Sequence, residues 1–158
     1  MTFFSRPICI VALGSALAAT TAFAAGHSEK AVADAVKARH AQMQMVGYHT
    51  GVLGDIAKGE RPFDSAMVDA AAGNIAALAK LEHATLWLEG SEQGAVEGSR
   101  AKSEIWSDAA GFTAKFTDMQ TAALALVGAA DQGAVGAGMG ALGETCKACH
   151  ETFRGPKN

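Results

Sequence analysis

Cysteine is scarce in this chain, with three in 158 residues, at positions 9, 146 and 149. Cys9 falls in a leader-like segment. The other two stand two residues apart, too close together for a long-range disulfide framework. A bridge between them inside a helix would also fit disulfide geometry poorly. Proline is equally rare, at Pro7, Pro62 and Pro156. No long run of alternating β-branched residues occurs, which argues against sheet. No basic stripe or acidic tail stands out, and the formal net charge is only −3. That balance gives no footprint for nucleic acid. Beyond the leader, no segment is apolar enough to span a bilayer.

The first 24 residues read as an export signal. Arg6 supplies a short positive start, and Pro7 to Thr21 an apolar run too short and wrongly flanked for a membrane span. Ala22-Phe23-Ala24 matches a small-x-small cleavage pattern, with cleavage expected near Ala24 or Ala25. Residues 25–158 then form one domain, exported to the periplasm.

That domain is rich in alanine, and its apolar residues recur at steps of three and four. Val36, Arg39, Met43, Val46, Thr50, Leu53 and Ala57 keep this spacing, as do Val68, Ala71, Ile75 and Leu78. A third series runs Ile105, Ala109, Phe112, Phe116, Met119, Ala123, Leu126 and Ala130. A fourth runs Val135, Met139, Leu142, Cys146, Cys149 and Phe153. Such narrow seams belong to helices packed at small angles. Gly59 to Pro62 breaks the first from the second, which Asp64 or Ser65 can cap. Glu89 to Ser99 reads as the longest loop, and Asp131 to Gly133 as a short turn. The expected fold is all-α, an antiparallel four-helix bundle with helices of about 20–28 residues. Gly133, Gly136, Gly138, Gly140 and Gly143 crowd the last helix, each at a cost of about 1 kcal/mol relative to alanine. Close approach of something bulky would explain them; local fraying is the plainer reading.

Cys146-Lys147-Ala148-Cys149-His150 carries the chemistry. Two thiols at this spacing lie on nearly one helix face and match the two vinyl groups of a porphyrin. Thioether bonds there would fix a haem, and the adjacent imidazole would ligate its iron. The pentapeptide is the attachment signature of haem c. A thioredoxin-like pair needs strand context, and a zinc site needs further ligands; neither is present. His27, His40, His49 and His83 fall off the seams or at the terminus, so solvated surface positions are expected for His40 and His83.

A sixth iron ligand would come from another helix. Met43, one turn after Arg39 on the first seam, is the candidate, and core packing is the alternative. Met67, Met119 and Met139 are expected to pack in the core. Arg39 on an apolar seam calls for a partner; a haem propionate would serve, or the side chain snorkels to solvent. Arg154, one turn after His150, faces either the haem or the solvated helix end.

Cys146 to Arg154 (CKACHETFR) resembles the C-terminal motif of the class II c-type cytochromes, which include cytochrome c-prime and its low-spin relatives. Arg39 to Met43 (RHAQM), Gly54 to Asp64 (GDIAKGERPFD) and Arg100 to Asp108 (RAKSEIWSD) agree with that family in order along the chain. Ser103 stands where the family often has proline. The resemblance implies a four-helix bundle with one haem c near one end. It implies that Cys146 and Cys149 attach it, that His150 ligates the iron and that Arg39 approaches a propionate. The stretch from Leu53 to Asp64 looks more like the low-spin branch, in which Met43 also ligates iron. That branch implies electron transfer with redox partner proteins and no enzymatic activity. The five-coordinate branch implies binding of nitric oxide or carbon monoxide instead. Some members pair through their first two helices, so a homodimer is a further expectation.

Overall fold

The computed structural model describes residues 27–157. The expected export signal lies outside the described residues. The bundle is built from α1 (Glu29–Lys58), α2 (Ser65–Ala79), the single turn α3 (Glu104–Ser107), α4 (Ala109–Leu124) and α5 (Gln132–Phe153). One 3₁₀ turn, His83–Thr85, interrupts the long connection between α2 and α3. Among the described residues there is no β-sheet, only two isolated bridges. No helix there is long and apolar enough to cross a membrane.

Side-chain caps mark the helix starts. Ser28 accepts from the Ala31 N–H at α1, Asp64 from Met67 at α2, and Asp131 from Ala134 at α5. Each satisfies a backbone donor that the first helical turn leaves free. Gly59 ends α1 at φ 76°, and its N–H returns to the carbonyls of Asp55 and Ile56. Any residue with a Cβ is disfavoured in that left-handed conformation.

The helices pack in a ring, α1 on α2, α2 on α4, α4 on α5 and α5 on α1. This is the antiparallel four-helix bundle that the apolar spacing predicts. The lengths differ from expectation, with 30 residues in α1 and only 15 in α2. The third seam is also not one helix. It breaks at Asp108, whose backbone leaves helical geometry while its carboxylate accepts from the Gly111 N–H and starts α4. Ile105 therefore sits on the short α3, and Leu126 and Ala130 lie beyond the end of α4. Ser103, at the start of α3, makes no side-chain cap.

One end of the bundle is closed. Leu53 and Ile56 from α1, Val68 from α2, Val135 and Leu142 from α5, and Leu126 after α4 are all completely buried there. Gly138 explains part of the glycine cluster, since a Cβ on it would collide with Cδ2 of Leu126. Only a bare backbone lets α5 approach this closely. Gly136, Gly140 and Gly143 have nothing within 4 Å of such a position, so close approach accounts for one glycine and not the group. Met119 is buried and Met139 half-buried, as expected of core residues, but Met67 is exposed beside Arg61.

Candidate cofactor site

The opposite end of the bundle is open. A cavity of about 770 Å³ lies there between α1, α4, α5 and the segment before α3. All six residues singled out from the sequence line it: Arg39, Met43, Cys146, Cys149, His150 and Arg154. The first seam brings Arg39, Met43, Val46 and Thr50 to one wall, because residues three and four apart share a helix face. The last turns of α5 bring the two cysteines and the histidine to another. Phe112, Phe116 and Met119 of α4 complete an apolar lining.

Neither cysteine is in a disulfide, and both are half-buried. Burial pushes each above its ordinary value, Cys149 up to about 11. The raised values favour thiol over thiolate at both positions. Burial pushes the His150 imidazole down, and the nearby positive charges of Arg154 and Arg100 push the same way. Neutral imidazole, the form that ligates metal, is thereby favoured.

Arg39 is buried, at 3% exposure, so the snorkelling alternative does not hold. Its guanidinium donates to Ser91 Oγ and O, both at 2.6 Å, and to Ser99 Oγ at 2.7 Å. It also stacks on Trp87 at 4.8 Å. Burial lowers its pKa to about 10, which leaves it cationic at neutral pH. Its hydrogen bonds are thus supplied by neutral groups, and among the described residues no carboxylate forms an ion pair with it. Neither serine was singled out by the sequence reading. Both lie in the irregular connection, where no periodicity marks a buried position.

Other wall residues were also missed. His40 is exposed, as expected, but it stands on the cavity rim beside Gly98. Trp87, Arg100, Lys115 and Lys157 line the cavity as well. His83 departs from its expected surface position. Its ring centroid is 4.3 Å from that of Phe116, and its Nε2 is buried with no partner. His49 is half-buried and does not line the cavity.

The lining can be tested for fit to a haem. The volume falls within the roughly 300–1,000 Å³ typical of cofactor and ligand sites. The walls are apolar, as a porphyrin face requires. The charged lining residues are Arg39, Arg100, Lys115, Arg154 and Lys157, with no carboxylate among them. A dianionic group with apolar faces suits this wall; an apolar ligand alone would leave its charges uncompensated.

The family model described as Cytochrome C' matches residues 34–154. The chain belongs to the cytochrome c' family. Cytochrome c' from Cereibacter sphaeroides is 39% identical over 121 residues, covering 75% of this chain and 81% of that protein. Cytochrome c-554 from the same organism is 34% identical over 151 residues, covering 94% and 97%. The solved cytochrome c' from Rhodobacter sphaeroides aligns at a TM-score of 0.74 and 37% identity, over 80% of this chain and 98% of that one. Cytochrome c prime from Alcaligenes xylosoxidans, solved as the nitric oxide complex of a point mutant, aligns at 0.67 and 33%, over 79% and 97%. The cofactor of the family is covalently attached haem c with its iron, and the C-x-x-C-H at Cys146 to His150 agrees with it. The low-spin His/Met branch expected from Leu53 to Asp64 is not supported, because cytochromes c' are typically five-coordinate and high-spin.

Proposed function

We propose that this protein is a periplasmic, five-coordinate haem protein that binds nitric oxide or carbon monoxide at an open iron position. In this reading Cys146 and Cys149 hold the haem by thioethers, and His150 is its one protein ligand. Residues 1–24 are the export signal removed before the haem is attached. The apolar cavity carries the reading, with the C-x-x-C-H motif on one wall. The nitric oxide complex of the Alcaligenes relative supports the ligand class.

When bound, the haem supplies an iron that takes up a diatomic ligand. The chain's own residues do the rest. Burial and the nearby arginines hold the His150 imidazole below its ordinary pKa, which favours the neutral form that ligates metal. Met43, Val46, Phe116 and Met119 offer apolar surface that disfavours water beside the metal. Arg39 and Arg154 are assigned to the propionates, with Arg100, Lys115 and Lys157 adding positive potential on the same lining. No residue is assigned to substrate chemistry, so the proposed role is binding and not catalysis.

Met43 favours a second reading. It is half-buried and lines the same cavity, so a His150/Met43 pair and electron transfer to redox partner proteins form the competing proposal. Absorption spectra of the ferrous holoprotein separate the two. A high-spin spectrum that shifts on adding carbon monoxide supports the open site. A low-spin spectrum indifferent to carbon monoxide, becoming responsive in Met43→Ala, overturns it in favour of the pair. Haem attachment itself is read from intact mass after expression with cytochrome-maturation machinery. Cys146→Ala with Cys149→Ala is expected to abolish covalent haem.

A further inference from the structure

The end of α5 is held from outside the helix. An α-helix closes on four carbonyls that find no partner among its own residues. In α5 these belong to His150, Glu151, Thr152 and Phe153. The His150 carbonyl accepts from the Arg154 N–H at 3.1 Å. The other three all accept from one residue, Lys102, in the connection that leads into α3. Its Nζ donates to Glu151 O and Thr152 O, both at 3.1 Å, and its backbone N–H donates to Phe153 O at 3.1 Å. The end of α1 is built differently, on the left-handed Gly59. No such turn caps α5, because Arg154 at its end is extended, with φ −113° and ψ 124°. A cationic side chain with several donors does the same work there. Arg100 continues the attachment past the helix. Its carbonyl accepts from the Gly155 N–H at 2.7 Å, and its guanidinium donates to Gly155 O and Pro156 O.

We propose that Lys102 is a positioning residue for the axial imidazole of His150, acting through the backbone of the turn it closes. The inference rests on the five-coordinate haem reading of Cys146, Cys149 and His150. In that reading both attachment points precede the ligand, and His150 is the first residue of the turn whose carbonyls lack helical partners. Such turns fray, because their backbone groups open to water at little cost. A frayed turn would let the ring swivel about the metal. With one protein ligand on the iron, nothing on the opposite face would correct that drift. Groups that orient a ligand tune the metal as surely as the ligand does. Lys102 fills this role without lining the cavity itself. The buried Phe153 ring, packed edge-on at 5.2 Å from Phe112, holds the inner side of the same turn. The turn is thus gripped from within by an aromatic ring and from without by a lysine.

The test uses the ferrous holoprotein, with its haem verified by intact mass. Two quantities are read, amide hydrogen exchange at the end of α5 and the iron–histidine stretching band in resonance Raman. The natural protein should give one narrow band. Lys102→Met keeps the length of the side chain and the backbone donor but loses the two bonds from Nζ. It should speed exchange at the amides of residues 152–155 by about tenfold and broaden or split the band, with exchange around Leu53 unchanged. Lys102→Arg, which retains a cationic donor, should restore both readings. Arg100→Gln frees only the tail beyond α5 and should move the band less than Lys102→Met does. Lys102→Gln, a milder change with a neutral donor, should fall between Lys102→Met and the natural protein, and it serves where Lys102→Met does not fold. Faster exchange with an unmoved band would make Lys102 a helix cap and nothing more, which overturns the inference. So does a band that moves as far in Arg100→Gln as in Lys102→Met. A bare-chain mass or a low-spin ferrous spectrum overturns the haem reading first and the inference with it, an outcome distinct from a high-spin holoprotein whose band does not respond.

Discussion

The two ends of the bundle are made from the same four helices and do opposite things. At the closed end Leu53, Ile56, Val68, Leu126, Val135 and Leu142 fill the interior completely. At the open end Phe112, Phe116 and Met119 belong to the core and also face a large cavity. Polar contacts frame the walls of this end. Arg39 on α1 ties down Ser91 and Ser99, and backbone bonds join Lys102 to Phe153 and Gly155 to Arg100. The connection between α2 and α3 is thus pinned to α1 and to the end of α5. The closed end holds the bundle together, and the open end is braced to leave room.

This contrast predicts where substitutions hurt most. Leu53→Ala, at the closed end, should cost about 2–5 kcal/mol in urea denaturation, with or without haem, because it opens a hole that the neighbours cannot fill. Arg39→Ala should cost less, about 1–3 kcal/mol, since removing the charge also removes its burial penalty. Its signature is local. Amide exchange should quicken in the segment around Ser91 and Ser99 and stay unchanged around Leu53. Uniform loosening would mean that the brace is not separate from the core.

Two glycines sharpen the comparison further. Gly138→Ala forces a methyl against Leu126, and overpacking should outweigh the helical gain by about 1 kcal/mol. Gly140→Ala meets open space and should stabilise by up to about 1 kcal/mol. Matching signs in thermal unfolding would undo the account of how α5 seats.

The mildest effect is a pH slope. Burial holds the His83 imidazole below its ordinary value of 6.5, opposed weakly by Glu82. The unfolded chain then takes up this proton more readily than the folded one. The contribution is full above about 6.5 and falls as pH drops below it. Urea midpoints measured downward from pH 8 should decline, and His83→Gln should flatten part of that decline. An identical slope in the variant would remove His83 from the explanation.

The same contrast explains what could be read from the sequence. Apolar spacing located α1, α2 and α5 because their buried faces are continuous. It ran the third helix too far in both directions, because Ile105 and Leu126 are buried without lying on α4. Asp108 carried the missing signal, as a capping carboxylate three residues before Gly111. At the site, the local motif and the first seam brought six residues to one cavity. The irregular connection supplied Trp87, Ser91, Ser99 and Arg100, and no period announces such positions. His83 was misplaced for a related reason, since its burial comes from the rings of Phe112 and Phe116 on α4 and not from its own segment.

Trp87 and Trp106 are the chain's two tryptophans, and both stand at the open end, joined by a 2.9 Å bond from the indole N–H of Trp106 to the Trp87 carbonyl. The molecule therefore carries a built-in optical gauge. Emission from both indoles should be bright in the bare polypeptide and dimmed by energy transfer once a pigment is fixed beside them. Maturation can then be followed in real time, without a label, from the light of the native chain.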